Sequence, residues 1–523
     1  MAKHQNSIFQ TQDRSRPSLR DSHLFRLGRN LRQIPQYTIS IFRAMIYILP
    51  GVLFFSYQPL ISLGTSESMN FELSLPLVWL VVFDILVLII MGQKKILFKG
   101  WKKKWVWLLF PIFLTISILW SLNFLRGILT AGIVWLIYLA IDGFFSLKNL
   151  FNEVGWREKF WKMFFGSTLV ICGWCWLQCL LDLAGVPREA NLMCAGCTYS
   201  NFGFPRPDGF AIEPQFMGNL LLAPLVISGY FALKNKKYLI IFFILAATLF
   251  LTFSRGAIYA LLVGLVVLTV LYCSKGLTRN HKLGQMPLNV SPSKPFQAIS
   301  IMWGVVVLAF LFTLNAQGIM AQVSPTNDTY ATGVAKVLNH LTLGIVDVRE
   351  HTTPVAEFTE NNEEKVVEME DSTNKDYENK AVTEPSKEAA FDGYVAESTD
   401  TRLRLSKAAV EIWSQDLKTV ILGVGLGGAG QALYVNNLSP APKEIVQNQY
   451  VSLLLETGLI GIVLAILTLV LVIRAIWHSP WRVVLYSLLM AYGVTLLFFS
   501  GLPNALHIYL LPALFLNMYS NSK

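Results

Sequence analysis

Four arginines stand where an apolar segment meets a polar one, and their chemistry suits an anionic ligand. Arg255 lies between two apolar runs, Arg206 precedes a third, and Arg402 and Arg404 open an amphipathic segment. A guanidinium group offers a rigid fork of donors that holds a phosphate through two hydrogen bonds. If these arginines meet, they form a cationic pocket just outside a bilayer. The alternatives are that Arg255 reaches toward interfacial water, and that Arg402 and Arg404 lie on a solvated helix face.

A second set of polar residues suits the handling of a hydroxyl group. Gln447 and Asn448 open an apolar run, Glu456 follows about two turns later, and Glu213 stands at the start of another run. Within a membrane such side chains face a protein cavity rather than lipid, and there they can orient a sugar hydroxyl. The alternatives are hydrogen bonds between helices, and for Glu213 an ion pair with Arg206 at a helix end.

Three glycines, Gly423, Gly425 and Gly428, have the spacing of a dinucleotide-binding fingerprint. That fingerprint requires a strand, a glycine turn and a helix within one βαβ unit. Here the glycines stand between an amphipathic segment and an apolar run. We therefore reject the nucleotide interpretation and expect flexible turns.

The six cysteines do not form the pattern of a disulfide framework. Cys194 and Cys197 form a C-x-x-C pair in a predicted loop. A local disulfide or two idle thiols are the open alternatives, because no second ligand pair accompanies them to make a zinc site. The remaining cysteines lie in apolar runs and are expected to be small buried side chains: Cys172, Cys175, Cys179 and Cys273.

Composition shows which elements must position these residues. Of 523 residues, 54% are hydrophobic and only 15% are charged, whereas about a quarter of a soluble chain is charged. The apolar runs are continuous rather than alternating, which indicates membrane-spanning helices and not a barrel. We predict an all-α polytopic membrane protein with about twelve transmembrane helices. The predicted spans lie near residues 39–63, 73–92, 105–122, 127–146, 163–184, 210–232, 238–253, 256–273, 298–316, 450–473, 483–500 and 505–519.

Charge distribution predicts the orientation. Residues 1–36 carry seven Lys or Arg, and residues 93–104 carry six lysines, so the positive-inside rule places both segments, and both termini, in the cytoplasm. Residues 347–400 hold 16 acidic and 5 basic side chains, a net charge of −11, although the whole chain carries +10. This segregation is typical of a membrane protein, and the short basic loops argue against a nucleic-acid partner.

The predicted organisation has four parts. Residues 1–36 form a basic disordered cytoplasmic arm, and residues 37–316 hold the first nine spans. Residues 317–446 form a large extracytoplasmic loop. Within it, 346–400 is acidic and flexible, and 401–414 is an amphipathic helix on the outer membrane surface. Residues 447–523 hold the last three spans.

Four short motifs, taken in order, resemble those of the O-antigen ligase and O-antigen polymerase superfamily. They are residues 117–121, residues 251–257, Thr401-Arg402 followed by residues 422–427, and residues 448–461. The resemblance covers most of 105–510 outside the acidic insertion. It implies a GT-C-like membrane glycosyltransferase of the bacterial cytoplasmic (inner) membrane.

By this resemblance, the donor is a glycan on a polyprenyl (undecaprenyl) diphosphate carrier, and the acceptor is a glycan, lipid or protein. No cofactor and no metal are expected. The diphosphate would lie on Arg255 and Arg402, with Arg404 and Arg206 contributing to the same cationic pocket. Ligase and polymerase both remain open, because the shape of the outer loops decides the acceptor.

The sequence departs from the family at position 447, where the family usually has histidine and this chain has glutamine. Glutamine can hold a hydroxyl group but cannot accept its proton as a base. We therefore predict that Gln447, Asn448 and Glu213 act at the reacting hydroxyl, with Glu456 and His507 as further candidates for the base. The alternatives are a small-anion transporter and a catalytically inactive scaffold for envelope assembly.

Overall fold

The computed structural model describes most of the chain. The described residues are 35–56, 59–66, 69–94, 101–151, 154–274, 295–324, 328–342, 389–439, 441–442, 444–501 and 505–518. The predicted cytoplasmic arm lies almost wholly outside them, as does the acidic segment from residue 346 to residue 388.

Helices dominate the described residues, and eighteen of them are labelled here. In chain order they are α1 Gln36–Leu53, α2 Leu75–Gln93, α3 Trp101–Ser117, α4 Phe124–Ser146, α5 Val154–Leu183, α6 Arg188–Asn191, α7 Tyr199–Phe202, α8 Pro214–Ala232, α9 Tyr238–Leu251, α10 Arg255–Cys273, α11 Pro295–Val323, α12 Tyr330–Leu341, α13 Ala389–Trp413, α14 Leu417–Leu422, α15 Ala429–Val435, α16 Gln449–Trp477, α17 Arg482–Thr495 and α18 Leu506–Met518. Three short 3₁₀ helices, Ile118–Trp120, Lys148–Phe151 and Ala195–Cys197, complete the helical elements.

Twelve of these helices correspond to the predicted spans. Eight are long and apolar enough to cross a membrane, namely α1, α2, α4, α5, α8, α10, α11 and α16, and four shorter apolar helices accompany them, α3, α9, α17 and α18. This confirms the prediction of an all-α polytopic membrane protein. The remaining helices, α6, α7 and α12 to α15, gather at one end of the bundle. We call this end, formed by residues 185–213, 328–342, 389–439 and 444–448, the loop-rich end.

The first span is shorter than predicted. Helix α1 ends at Leu53, and strand β1, Pro59–Ser66, pairs antiparallel with strand β2, Met69–Ser74. The predicted span had continued to residue 63. Helix α1 holds Pro50 and Gly51 in its last turn, and these are the two poorest helix formers, which favours an end of the helix at Leu53.

Two other spans are longer than predicted. Helix α5 begins at Val154 rather than at residue 163, and α11 continues to Val323 rather than 316. At 30 residues, α5 is about 45 Å long, more than the roughly 30 Å of hydrocarbon that hydropathy detects. Its polar first turns are helical as well, with an ion pair between Glu158 and Lys162 at 2.9 Å.

Helix α13 differs from its prediction in extent and in surroundings. It begins at Ala389, so residues 389–400 are helical and were wrongly assigned to the flexible acidic segment. The apolar stripe predicted for residues 401–414 is present. It packs on the protein itself and not on lipid, against Ala432 and Leu433 of α15 and Leu455 of α16. Small residues on α15 allow this close packing, and no local sequence pattern indicates which partner covers an amphipathic face.

The cysteines within helices are only partly as expected. Cys172, Cys175 and Cys179 are buried, whereas Cys273 is exposed at the end of α10. The prediction for Cys273 was wrong because an apolar run in a membrane protein includes lipid-facing positions, which are as apolar as the core.

Close packing of small residues fixes the helix that carries Arg255. A Cβ atom added at Gly264 would lie 3.0 Å from the Cβ of Ala491, so α10 and α17 approach closely there. Ala257, at the first turn of α10, lies against Gly218 of α8. These contacts set the position of the α10 N-terminus at the loop-rich end.

Candidate active site

A strained turn presents Arg255. Helix α9 ends at Leu251 and α10 begins with Arg255, as the break predicted between these spans requires. Ser254 caps α10, because its Oγ accepts from the N–H of Ala257 at 3.4 Å. Phe253 has a φ of 49°, in the left-handed region that non-glycine residues avoid at a cost of about 1 kcal/mol.

Arg402 lies beside Arg255, although 146 residues separate them in the chain. Its Nη2 donates to Oε1 of Gln215 at 3.1 Å, and Nε2 of Gln215 donates to the carbonyl oxygen of Phe498 at 2.7 Å. The positive charge of Arg402 is close enough to act on Arg255. Two like charges held together away from bulk water repel each other, so the arrangement favours an anionic ligand.

Arg206 belongs to the same cationic site. Its Nε donates to the carbonyl oxygen of Thr252 at 3.3 Å, and its guanidinium group lies 4.4 Å from the ring centre of Phe202. The backbone N–H of Arg206 donates to the carbonyl oxygen of Cys197 at 2.9 Å, and Cys197 forms a disulfide with Cys194. Of the two alternatives for the C-x-x-C pair, the disulfide is the one present, and it braces the loop that presents Arg206.

Arg404 is not brought into this site. Its side chain is exposed, whereas that of Arg402 is partly buried. Two residues along a helix correspond to a rotation of about 200°, so the two arginines point to opposite sides of α13. Arg402 and Arg404 were both predicted to contact one diphosphate because only one residue separates them in the sequence.

Asn448 has a structural task at the start of α16. Its Oδ1 accepts from the backbone N–H groups of Tyr450 and Val451, at 3.0 and 3.2 Å, and so caps the helix. Gln447 is partly buried directly before this cap. The predicted catalytic roles of Gln447 and Asn448 remain predictions.

One short segment, residues 496–501, connects the start of α16 with the arginines. The backbone N–H of Gln449 donates to the carbonyl oxygen of Leu496 at 2.9 Å. The side-chain Oε1 of Gln449 accepts from the N–H of Gly501 at 2.7 Å. The carbonyl oxygen of Phe498, between them, accepts from Gln215, which holds Arg402. Gln449, two residues after Gln447, is therefore attached to the same six residues as Gln215, which binds Arg402.

Glu213 stands directly before α8, two residues from Gln215, and its side chain is exposed. An exposed carboxylate at this place is open to a ligand on the arginine site. The predicted ion pair of Glu213 with Arg206 and its predicted contact with a reacting hydroxyl both stay predictions.

Three motifs that are far apart in sequence meet around the glycine-rich segment 423–428. The N–H of Val424 donates to the carbonyl oxygen of Leu455 at 2.9 Å, and Oγ of Ser121 donates to the carbonyl oxygen of Leu426 at 2.7 Å. Helix α16 is interrupted beside the segment, at Gly458, whose φ and ψ are 58° and −164°. The backbone of residues 421–423 fills this interruption.

The glycines of this segment lie in a buried, closely packed junction, whereas we expected flexible turns. Gly423, Gly425 and Gly427 have φ values of 71°, 88° and 78°, a conformation that glycine adopts without a penalty. They are buried, and their backbones contact neighbouring backbones directly. Helices α14 and α15 flank the segment, so it is not the strand-to-helix turn of a βαβ unit.

Glu456 organises this second polar region. It accepts hydrogen bonds from the backbone N–H groups of Gly427 and Ala429 and faces Arg126. A cavity of about 30 Å³ lies beside it, lined also by Gln449 and Ser452, with room for roughly two water molecules. These contacts assign Glu456 a role in holding the glycine segment.

His507, the other candidate base, is fully buried, and its ring lies 5.8 Å from that of Tyr492 in the bundle. Its role as a base stays a prediction, and this enclosed position disfavours it.

Sequence reasoning missed His340, which lies between the arginines and the aromatic core of the loop-rich end. Its Nε2 is 3.1 Å from the carbonyl oxygen of Phe253, and its ring meets those of Phe202 and Phe204 edge-on. The helical spacing of Gly333, Val337 and His340 on the buried face of α12 is the signal that could have revealed it.

The surroundings of His340 predict a dependence of stability on pH. Burial, and then the charges of Arg206 and Arg255, hold the pKa of His340 well below its usual value of 6.5. Below pH 6.5 the unfolded chain gains a proton that the folded chain does not, so folded stability falls by up to about 1.4 kcal/mol per pH unit. We expect the melting temperature of the detergent-solubilised protein to fall from pH 7 to pH 5.5 more steeply than that of His340→Gln. Equal slopes would contradict this expectation.

Taken together, the fold and the site define a polytopic membrane protein with a cluster of arginines at one end of its helical bundle. The family model for O-antigen ligase matches residues 240–466, which include Arg255, Arg402, Gln447 and Asn448. This match supports the O-antigen ligase and polymerase family, which the resemblance of the motifs had indicated. No curated protein matches the sequence closely enough to count as a relative.

Proposed function

We propose that this protein transfers a glycan from an undecaprenyl-diphosphate-linked donor to an acceptor hydroxyl at the outer face of the bacterial cytoplasmic membrane. The family match indicates glycan transfer in O-antigen assembly by a membrane enzyme. The proposal adds the donor, the acceptor group and the membrane face. The observation that carries it is that Gln215 joins Arg402 to Phe498, whose side chain packs on Gly256 next to Arg255. Two arginines from separate parts of the chain are thereby brought close enough to interact electrostatically.

The chemistry follows from charge. An acceptor oxygen attacks the anomeric carbon of the donor sugar, and the bond from that carbon to the diphosphate oxygen breaks. The electron pair leaves with the diphosphate, which gains negative charge as the bond lengthens. Donors held in place before the reaction stabilise such charge most in the transition state. Arg255 and Arg402 supply two fixed positive charges there, a task that a metal ion performs in other transferases.

The acceptor must also lose a proton, and Gln447 cannot take it. Of Gln447, Asn448 and Glu213, Glu213 alone carries a carboxylate, and it is exposed two residues before Gln215, which binds Arg402. In the proposal, Glu213 accepts the proton while Gln447 and the amide nitrogen of Asn448 orient the acceptor.

Replacement of Glu213 tests that assignment. We expect Glu213→Gln to lower kcat for transfer about 100-fold, because general-base catalysis contributes roughly 10²–10⁴-fold, and to leave the donor KM within threefold. Glu411→Gln is the matched control, since Glu411 is an exposed carboxylate on α13 and should transfer normally. Equal rates for both variants would remove Glu213 from the mechanism.

The transporter alternative relies on interrupted helices that line an ion pathway. The interruption at Gly458 is filled by the backbone of residues 421–423, so packing accounts for it. The arginine site favours transfer over transport.

Transfer by the purified protein tests the proposed function. The assay combines a short oligosaccharide on undecaprenyl diphosphate, EDTA, and either lipid A-core or the same glycan as acceptor. A single product on lipid A-core indicates a ligase, and a ladder of glycans indicates a polymerase. No product with any acceptor, from folded protein, would contradict the proposal and favour transport or scaffolding.

A further inference from the structure

His340 contacts the backbone just before Arg255 from a distant part of the chain. Its side chain is 4% exposed, and Nε2 lies 3.1 Å from the carbonyl oxygen of Phe253. A carbonyl oxygen can only accept a hydrogen bond, so Nε2 carries the hydrogen and donates it. Residues between α11 and α12 secure the helix that carries His340, because Asp328 accepts from Tyr199 and pairs with Lys336, both at 2.7 Å.

The accepting carbonyl belongs to the strained residue of the turn. Phe253 holds a φ of 49°, and such conformations persist only where the surroundings enforce them. Two consecutive carbonyl groups of the turn are engaged from outside, that of Thr252 by Arg206 and that of Phe253 by His340. The conformation of Phe253 determines the direction in which α10 begins, and Arg255 is the first residue of that helix.

Histidine is suited to this position because it can donate a hydrogen bond without carrying a charge. A lysine or arginine would place a third cation beside Arg206 and Arg255, both of which act electrostatically on His340. The rings of Phe202 and Phe204 enclose the imidazole, with ring-centre distances of 5.3 and 5.8 Å, and fix its plane.

We propose that His340 is a positioning residue for the anion site, and that its hydrogen bond to Phe253 fixes the direction of the Arg255 guanidinium group. This inference rests on the proposed function, in which Arg255 binds the donor diphosphate. His340 acts through Arg255 and does not touch the substrate. Its loss weakens diphosphate binding while the rest of the bundle remains intact.

Substitutions of His340 by glutamine and asparagine, whose side-chain amides differ in length, distinguish the hydrogen bond to Phe253 from a role of His340 in packing alone. In His340→Gln the side-chain amide nitrogen can occupy the place of Nε2, whereas His340→Asn has the same chemistry but is too short to reach Phe253. His340→Met fills the space with no donor. Loss of one hydrogen bond corresponds to about a tenfold change in affinity.

The experiment measures binding of inorganic pyrophosphate by isothermal titration calorimetry to the full chain in detergent, together with the donor KM and kcat. We expect His340→Asn and His340→Met to raise the pyrophosphate Kd and the donor KM about tenfold, with kcat within threefold. His340→Gln should stay within about threefold of the wild type. In an Arg255→Ala background, His340→Asn should change the Kd less than about twofold, because the residue through which it acts is absent.

The outcomes distinguish the two levels of the proposal. If the wild type binds pyrophosphate and His340→Asn has the same Kd, the positioning role is overturned. It is also overturned if His340→Asn raises the pyrophosphate Kd equally in the presence and in the absence of the Arg255 side chain. Equal weakening by Gln and Asn, with normal melting temperatures, overturns it as well. Absence of pyrophosphate binding and of transfer by the wild type overturns the proposed function itself.

Discussion

Arg255→Ala and Arg402→Ala are each expected to reduce glycan transfer by about 100-fold or more, as removal of one preorganised charge donor does in other transferring enzymes. Both guanidinium groups lie at one site, so the double variant should lose far less than the product of the two single effects. Arg402→Ala also releases Gln215 from its 3.1 Å hydrogen bond, which adds to the loss.

Arg404→Ala is the matched control for this pair. It removes the same group from the same helix, at an exposed position that faces away from Arg402. We expect transfer within about threefold of the wild type, because an exposed charge contributes little. The transfer rates of the wild type and the four variants are measured at saturating and at limiting donor concentrations. A larger loss in Arg404→Ala than in Arg402→Ala would contradict the placement of α13.

Gly425→Ala is expected to cost roughly 3 kcal/mol or more of folding free energy, an effect of backbone collision and a disfavoured dihedral together. Its φ is 88°, and an added Cβ would lie 2.6 Å from the backbone nitrogen of Ser121. Neither backbone can move without opening the junction of the glycine segment with residues 117–121. The measurement is the melting temperature of the solubilised protein, with protease resistance of the loop-rich end as a second readout.

Gly132→Ala is the control for Gly425→Ala. Gly132 lies within α4, and an added Cβ meets no atom within 4 Å. Alanine favours a helix over glycine by about 1 kcal/mol, so this variant should melt at the wild-type temperature or slightly above it. Similar destabilisation by both variants would show that the glycine segment is not the tightly packed junction described above.

The helices could be predicted from the sequence with good agreement, because hydropathy reports directly on membrane crossing. The predicted span 127–146 corresponds to α4, Phe124–Ser146, and the predicted span 256–273 to α10, Arg255–Cys273. Elements whose extent depends on tertiary contacts were less predictable. The 389–400 part of α13 has an acidic composition typical of flexible segments, and its helical state has no local signal.

The site could be predicted only in part, for a similar physical reason. Arg255 and Arg402 were identified from their motifs, and the fold brings them together. Motifs do not show which side of a helix faces the site, so Arg404 was included although it points away. His340 lies outside the motifs, and its importance comes from a single contact with Phe253.

The glycine segment 423–428 shows that residue type alone does not predict whether a glycine is exposed in a turn or buried in a packed junction. Glycine is permissive, and permissiveness suggests mobility when the surroundings are unknown. At Gly423 and Gly425 the same property allows two backbones to approach where any side chain would collide. The sequence identified the glycines correctly but could not distinguish a flexible turn from a packed junction.

The central claim is that Arg255 and Arg402 together hold the diphosphate of a polyprenyl-linked donor. The most direct measurement is an electron cryomicroscopy structure of the full chain in a lipid nanodisc with undecaprenyl diphosphate bound. The account predicts density for the two phosphates within hydrogen-bonding distance of both guanidinium groups, with Arg206 nearby and Arg404 in solvent. Density for the diphosphate elsewhere, with both arginines free of it in a fully occupied complex, would contradict the account.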